Sequence, residues 1–225
     1  MDGLYTNRNL LSDFVKNGID ASIYGGTEVY IAVAFFTEPD VIQDMISAGC
    51  HVRMIVRLGF PTDPSALRKL TNNHSVELRF YTDSSFHPKL YIFGDKVALV
   101  GSANLTKAAI LTNQEVVVTI RSDDERFSEL ATLFSDYWEE ASVLTEEELT
   151  KYESIYRKHE NTMNSINLME GDVKKHIGSI VFSNIDRGKP KKSKENIFLN
   201  NYRKTYQETV SVFNKVREVY ESTGK

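Results

Sequence analysis

Four polar side chains within residues 86–115 have the types and the spacing of a site for a tetrahedral oxyanion. His87 and Lys89 are two residues apart before an apolar run, and Ser102 and Asn104 are two apart just after a second apolar run. Side chains two positions apart on a strand project to the same side. If the two runs pair as an antiparallel hairpin, the four polar groups surround one small space. A nucleophile with several hydrogen-bond donors suits a phosphodiester.

The spacing of these residues resembles the signature of the phospholipase D superfamily, H-x-K-x4-D-x6-G-S-x-N. The resemblance implies that His87 attacks phosphorus and forms a phosphohistidine intermediate. It implies that Lys89, Ser102 and Asn104 hold the phosphoryl oxygens. It also implies that a later acidic residue, Glu115, hydrogen-bonds the histidine and orients it.

One position departs from the signature. The aspartate of the family falls at Gly94 here, and an aspartate follows at Asp95. The spacing from Lys89 to Gly101 is that of the signature, so we expect the turn between the strands to differ while the strands keep their register. The alternative is a buried hairpin with an incidental histidine, although an inward-facing lysine beside a histidine is costly unless an anion is expected.

The chain contains a single H-x-K motif. Transfer through a phosphohistidine needs a nucleophile and an acid that protonates the leaving oxygen, and enzymes of this superfamily meet that need with two such motifs. We therefore expect a homodimer in which two His87 side chains share one active site across a twofold axis. Single-motif members such as the bacterial Nuc-type nucleases and the metal-independent restriction endonucleases of the BfiI type resemble this arrangement. The wording H-P-K-L-Y and G-S-A-N-L-T looks closest to the latter.

The segments that position these residues alternate between extended and helical patterns. Apolar or alternating runs predict strands over residues 28–36, 51–58, 76–81, 90–93, 97–100 and 115–120. Helical spacing predicts helices over 9–17 and 37–49, with further starts at Asp63 and at capping boxes beginning with Ser122 and Thr145. The pattern predicts an α/β fold: a mixed, mainly parallel sheet with helices on both faces, as in phospholipase D, plus a C-terminal helical extension.

We divide the chain into a catalytic domain (1–142), a helical extension (143–169) and a basic tail (170–225). The tail holds 12 Lys and Arg against 7 Asp and Glu, whereas the whole chain has a net charge of −4. Residues 176–182 could form a short strand or a loop, and residues 200–222 predict an amphipathic helix. That helix either packs on the main domain or contacts DNA.

Composition narrows the class of protein. A hydrophobic content of 41% and a charged content of 26% are typical of a soluble globular chain. The single cysteine, Cys50, excludes an intramolecular disulfide and a thiolate zinc site. We expect a cytoplasmic protein with no membrane partner, because no apolar run reaches about 18 residues and the N-terminus has no signal-peptide pattern. No metal and no cofactor are expected, since the other histidines lack ligand spacing.

Arg53 and Arg57 alternate with apolar residues on one predicted strand. They either help to bind a substrate phosphate or are ordinary surface charges, and neither is included in the predicted site.

The resemblance implies a metal-independent phosphodiesterase, a DNA endonuclease of restriction or phage defence. Cationic side chains would replace a metal in neutralising transition-state charge. A phospholipid phosphodiesterase is an alternative, opposed by the short chain, the single motif and the lack of an amphipathic membrane-binding stretch. The other alternative is a non-catalytic DNA-binding or dimerisation subunit of a defence complex, opposed by the intact set of polar residues.

Overall fold

The computed structural model describes residues 3–8 and 13–159, with individual helical positions between 162 and 176. The strands are β1 Leu4–Tyr5, β2 Glu28–Val33, β3 His51–Arg57, β4 Val76–Tyr81, β5 Lys89–Phe93, β6 Val97–Gly101, β7 Val117–Arg121 and β8 Ser142–Val143. The helices are α1 Val15–Ser22, α2 Pro39–Ser47, α3 Pro64–Arg68, α4 Lys107–Leu111, α5 Glu125–Glu140 and α6 Glu146–Lys158. The predictions for residues 200–222 and nearly all of 176–182 lie outside the described residues.

The described strands form one eight-stranded sheet in the order β1-β7-β6-β5-β2-β3-β4-β8. The predicted α/β fold with a mixed sheet is confirmed, but fewer strand pairs are parallel than we expected. Only β2–β3 and β3–β4 are parallel among the described strands, and the other five pairs are antiparallel. The reason is the connections: helical crossovers link β2, β3 and β4, whereas β5 and β6 are joined by a tight turn that reverses the chain.

Helices cover both faces of the sheet, as predicted. Five helices, α1, α2, α3, α4 and α6, contribute to an apolar core on one face, where Ile31, Met54 and Tyr91 are fully buried. On the other face, α5 packs Phe134 against Ile55 and neighbouring strand residues. Each large apolar side chain buried in this way contributes roughly 1.5–3 kcal/mol to folding.

The starts of the helices follow side-chain capping. Asp63 accepts a hydrogen bond from the Ser65 amide at 2.8 Å, as its position before Pro64 predicts. The capping box predicted at Thr145 is confirmed, and the α6 that it starts packs on α3. At α5 the cap is Asp124 and not Ser122. Because α6 contributes to the first core, it adjoins the sheet domain; the division of the chain at residues 142 and 169 stays a prediction.

The first helix differs most from the prediction. The helix predicted over 9–17 should end before Gly18, yet α1 continues to Ser22 and Gly18 is buried inside it; residues 9–12 lie outside the described residues. A Cβ at Gly18 would lie 2.6 Å from the ring of Tyr5, so the lack of a side chain at Gly18 leaves room for that ring. Strands β1 and β8 and helix α4 were not predicted, because elements of two to five residues are too short for a periodic pattern. No helix in the described part is long and apolar enough to cross a bilayer.

Candidate active site

The predicted site residues lie together at one edge of the sheet, where the parallel strands β2 and β3 end. Lys89 is the first residue of β5 and pairs with Val33, the last residue of β2. Ser102 follows Gly101, the last residue of β6, which pairs with the first residue of β7. The antiparallel β5–β6 hairpin is therefore confirmed, and it brings the two halves of the motif to the same place.

The position where the signature has an aspartate lies at the other end of this hairpin. Gly94 occupies the turn with φ of 55°, a conformation that favours glycine. Asp95 follows it in the turn and is exposed. The departure from the signature therefore falls far along the strands from His87 and leaves the register intact, as expected.

His87 and Lys89 contact each other on the same side of the strand, as the spacing predicts. The Lys89 ammonium lies 2.6 Å from His87 Nδ1 and donates to the His87 carbonyl oxygen at 2.8 Å. The ammonium also lies 3.3 Å from His87 Nε2, and because an ammonium has only donors, the ring nitrogen without a proton is the one that accepts from it. Lys89 therefore lies in direct contact with the His87 ring.

The electrostatics of this pair favour the neutral imidazole. Partial burial, followed by the positive charges of Lys89 and Arg57, lowers the pKa of His87 below its ordinary value. Burial and Arg57 also lower the pKa of Lys89, and Glu115 opposes that change. The neutral imidazole is the form that can attack phosphorus.

Ser102 and Glu115 form a second pair beside the first. The Ser102 hydroxyl donates to Glu115 and accepts from the Val116 amide at 3.0 Å. The Asn113 amide donates to the other carboxylate oxygen of Glu115 at 3.4 Å. Within the described residues, no hydrogen bond joins Glu115 to His87. The structure therefore places Glu115 as the partner of Ser102, and its role in orienting the histidine stays a prediction.

Asn104 is fixed by the end of β2. Its side-chain oxygen accepts from the Phe35 amide at 3.0 Å, which leaves the amide N–H groups of Asn104 to donate elsewhere. Beneath the loop, the buried Tyr91 hydroxyl donates to the Ala103 carbonyl oxygen at 2.9 Å. Burial raises the pKa of Tyr91 far above its ordinary value, so this donor stays protonated. Both bonds hold the segment that carries Ser102 and Asn104.

Two further residues complete the edge. The Phe35 ring lies 5.6 Å from the His87 ring, centroid to centroid, at an interplanar angle of 82°. The Arg57 guanidinium lies over Phe35, 4.6 Å from its centroid, and donates from Nη1 to the Ser84 carbonyl oxygen at 2.9 Å. Sequence reasoning missed Phe35, which lies near the end of the apolar run 28–36, and set Arg57 aside. The available signal was their place at the carboxyl ends of parallel strands, where sites of α/β proteins gather.

The described residues contain no group of three or more His, Cys, Asp or Glu side chains that could hold a metal ion. The cations at this edge are instead the side chains of Lys89 and Arg57. The arrangement can place a nucleophilic imidazole beside an ammonium, a hydroxyl and a carboxamide, which together can neutralise a phosphoryl group.

Comparison with known proteins gives a consistent family and fold. The family model described as cardiolipin synthase, PLD-like domain, matches residues 21–138. NucT from Helicobacter pylori has a similar structure, with a TM-score of 0.51 at 20% identity over 64% of this chain and 99% of that one. Nuc from Salmonella typhimurium, a phospholipase D family member, also has a TM-score of 0.51, at 22% identity over 64% of this chain and 96% of that one. At these identities the likeness to the two structures concerns the fold. No curated protein sequence matches the chain significantly.

Proposed function

The chain belongs to the phospholipase D-like family, and on that premise we propose that it is a metal-independent phosphodiesterase that cleaves DNA through a phosphohistidine on His87. The observation that carries this proposal is the His87–Lys89 contact at the sheet edge, with the pKa of the imidazole lowered. The lowered pKa favours the neutral imidazole, and the Lys89 ammonium lies beside the ring. Ser102 and Asn104 lie at the same edge as the remaining donors. A role in restriction or phage defence, and a cytoplasmic location, remain predictions from the sequence.

The reaction has two balanced steps. A neutral ring nitrogen of His87 attacks phosphorus, the bond from phosphorus to the leaving oxygen breaks, and that oxygen takes a proton from a second imidazolium. The second imidazole, now neutral, removes a proton from water, whose oxygen attacks phosphorus and breaks the P–N bond. Lys89 and Asn104 donate to the phosphoryl oxygens in both transition states, and Ser102 does so when its hydroxyl proton turns from Glu115 to the phosphate.

The second imidazole comes, in this proposal, from a second copy of the chain. Support comes from an exposed apolar area beside the site, the open patch, formed by Leu4, Val116 and Val118 with exposed fractions of 60%, 58% and 39%. Strand pairing puts Leu4 opposite Val118, and α5 covers the neighbouring part of this face around Ile120. The patch begins at the residue after Glu115. A twofold contact there would therefore bring two half-sites together, which is why we name a second copy as its occupant.

Val118→Glu tests this interface. We expect the variant to sediment as a monomer and to lose turnover, because a charge in an apolar contact is strongly unfavourable. Val143→Glu is the matched control, since Val143 is 56% exposed on β8 at the opposite edge of the sheet. Thermal unfolding of both variants checks that each is folded. A fully active wild-type monomer at the assay concentration, or an active Val118→Glu monomer, would exclude the shared site.

The nuclease activity itself is tested with a substrate panel in excess EDTA. Wild type and His87→Ala are incubated with plasmid DNA, single-stranded DNA, RNA and phospholipid vesicles. His87 is exposed, so we expect its replacement to leave the fold intact. We expect DNA cleavage that EDTA does not abolish and that His87→Ala lacks. Quenching during turnover of a phosphorus-labelled substrate should trap an acid-labile, base-stable label on His87. Cleavage that requires added magnesium, or a label on another residue, contradicts the mechanism.

A further inference from the structure

Arg57 differs from its neighbour on the same strand. Arg53 is paired with Glu77, which lies opposite it on β4, at a distance of 3.1 Å. Arg57 forms no ion pair with a carboxylate within the described residues. Asp83 is close enough to feel its charge, but the Asp83 carboxylate is engaged by Ser85, whose amide donates to it at 2.7 Å. Arg57 is therefore a cation whose charge no ion pair offsets, held at the site edge.

The contacts of Arg57 hold it near the nucleophile. One guanidinium donor is used by the Ser84 carbonyl oxygen, and the other donors remain available because a guanidinium has five. The ring of Phe35 contacts both Arg57 and His87. The Phe35 amide is bonded in turn to Asn104, so the ring keeps a defined place relative to the phosphate-binding residues. Arg57 and His87 therefore contact the same aromatic ring, and the positive charge of Arg57 acts on the imidazole.

We infer that Arg57, seated on Phe35, binds the phosphate next to the scissile one in a polynucleotide strand. This inference rests on the proposed function and names its substrate class. A nucleic-acid strand has a phosphate at every nucleotide, so a substrate bound at His87 offers a second anion nearby. A guanidinium fits that anion, because its planar donors match phosphate oxygens bidentately. A lone phosphodiester, as in a simple phospholipid, has no second phosphate for Arg57.

The first experiment compares two substrates at about pH 8, where an ordinary histidine is neutral. Arg57→Met is assayed on a single-stranded DNA oligonucleotide and on bis(4-nitrophenyl) phosphate, which has one phosphodiester and no flanking phosphate. We expect kcat/KM for the oligonucleotide to fall by about 10- to 100-fold, the effect of one charged hydrogen bond, chiefly through KM. The fall in kcat/KM for the small diester should be at most about one tenth of the fall for the oligonucleotide. Arg53→Met is the matched control and should leave kcat/KM unchanged for both substrates.

A second experiment measures binding without turnover. In a His87→Ala background, fluorescence anisotropy of a labelled oligonucleotide should show weaker binding for Arg57→Met but not for Arg53→Met. The slope of log K against log salt should fall by about 0.7 for Arg57→Met, the value for one phosphate contact on a single strand. Binding keeps the inference testable even if the chain proves not to cleave DNA, which would overturn the proposed function alone. Equal losses on both substrates, or equal binding by the two arginine variants, would overturn the subsite.

Discussion

Gly101 links the strand register to the phosphate-binding residues, and replacing it by alanine tests that link. A Cβ at Gly101 would overlap the Val116 carbonyl oxygen and would lie 2.7 Å from the Val117 Cα, whereas ordinary contact begins at 3.4 Å. Both obstructing atoms belong to the backbone of β7 or its approach. No side-chain rotation can relieve the contact, so Gly101→Ala must push β6 and β7 apart.

The magnitude follows from this geometry. An added methyl in a packed site costs about 1–3 kcal/mol, and a backbone obstruction places Gly101→Ala at the upper end of that range. Ser102 follows directly, and its hydroxyl is bonded to both Glu115 and the Val116 amide. Displacing a phosphate-binding group by about 1 Å can cost roughly 100-fold in rate. We therefore expect a loss of about 3 kcal/mol in unfolding free energy and about 100-fold in kcat.

Urea unfolding and steady-state turnover of bis(4-nitrophenyl) phosphate, at a temperature where both proteins are folded, measure the two effects. Gly26→Ala is the matched control, because Gly26 has φ of 74° and nothing within 4 Å of its Cβ position. It lies just before β2, at the end away from the site, and should cost about 1–2 kcal/mol of backbone strain without loss of turnover. Wild-type stability and turnover in Gly101→Ala would refute the steric reasoning, and equal turnover losses in both variants would refute its link to Ser102.

Three further predictions concern the site. The His87 ring should titrate in NMR below about pH 6.5, and Lys89→Met should raise that value. The folded state binds this proton less readily than the unfolded state, so the unfolding free energy should fall as the pH drops below about 6.5. His87→Asn should weaken that fall. An unchanged dependence of unfolding free energy on pH in the variant would contradict the lowered pKa. Tyr91→Phe should cost about 1–3 kcal/mol in urea unfolding by leaving the buried Ala103 carbonyl oxygen unpaired, and an unaltered midpoint would show that this bond is dispensable. Lys89→Ala and Asn104→Asp should each lower kcat by about 10²–10³-fold. Asn104→Asp keeps the acceptor for the Phe35 amide but loses the donor. A near-wild-type rate in either variant would show that the replaced residue does not belong to the site.

Much of this fold is local in origin, and the sequence by itself determined those parts. Side chains alternate along a strand, so the spacing of His87 and Lys89 put them on one side before any tertiary contact was known. The interval between Lys89 and Gly101 likewise set the hairpin register. Capping signals at Asp63 and Thr145 placed the starts of two helices, because a cap bonds amides within its own turn.

Tertiary structure decided which of several chemically equal residues meets which partner. Arg53 and Arg57 look alike on one strand, but β4 presents Glu77 to the first, while the second meets the Ser84 loop and Phe35. The sequence likewise did not predict the partner of Glu115, the short edge strands or the share of antiparallel pairs. Each depends on contacts between segments distant in sequence, and local periodicity contains no information about which segments become neighbours.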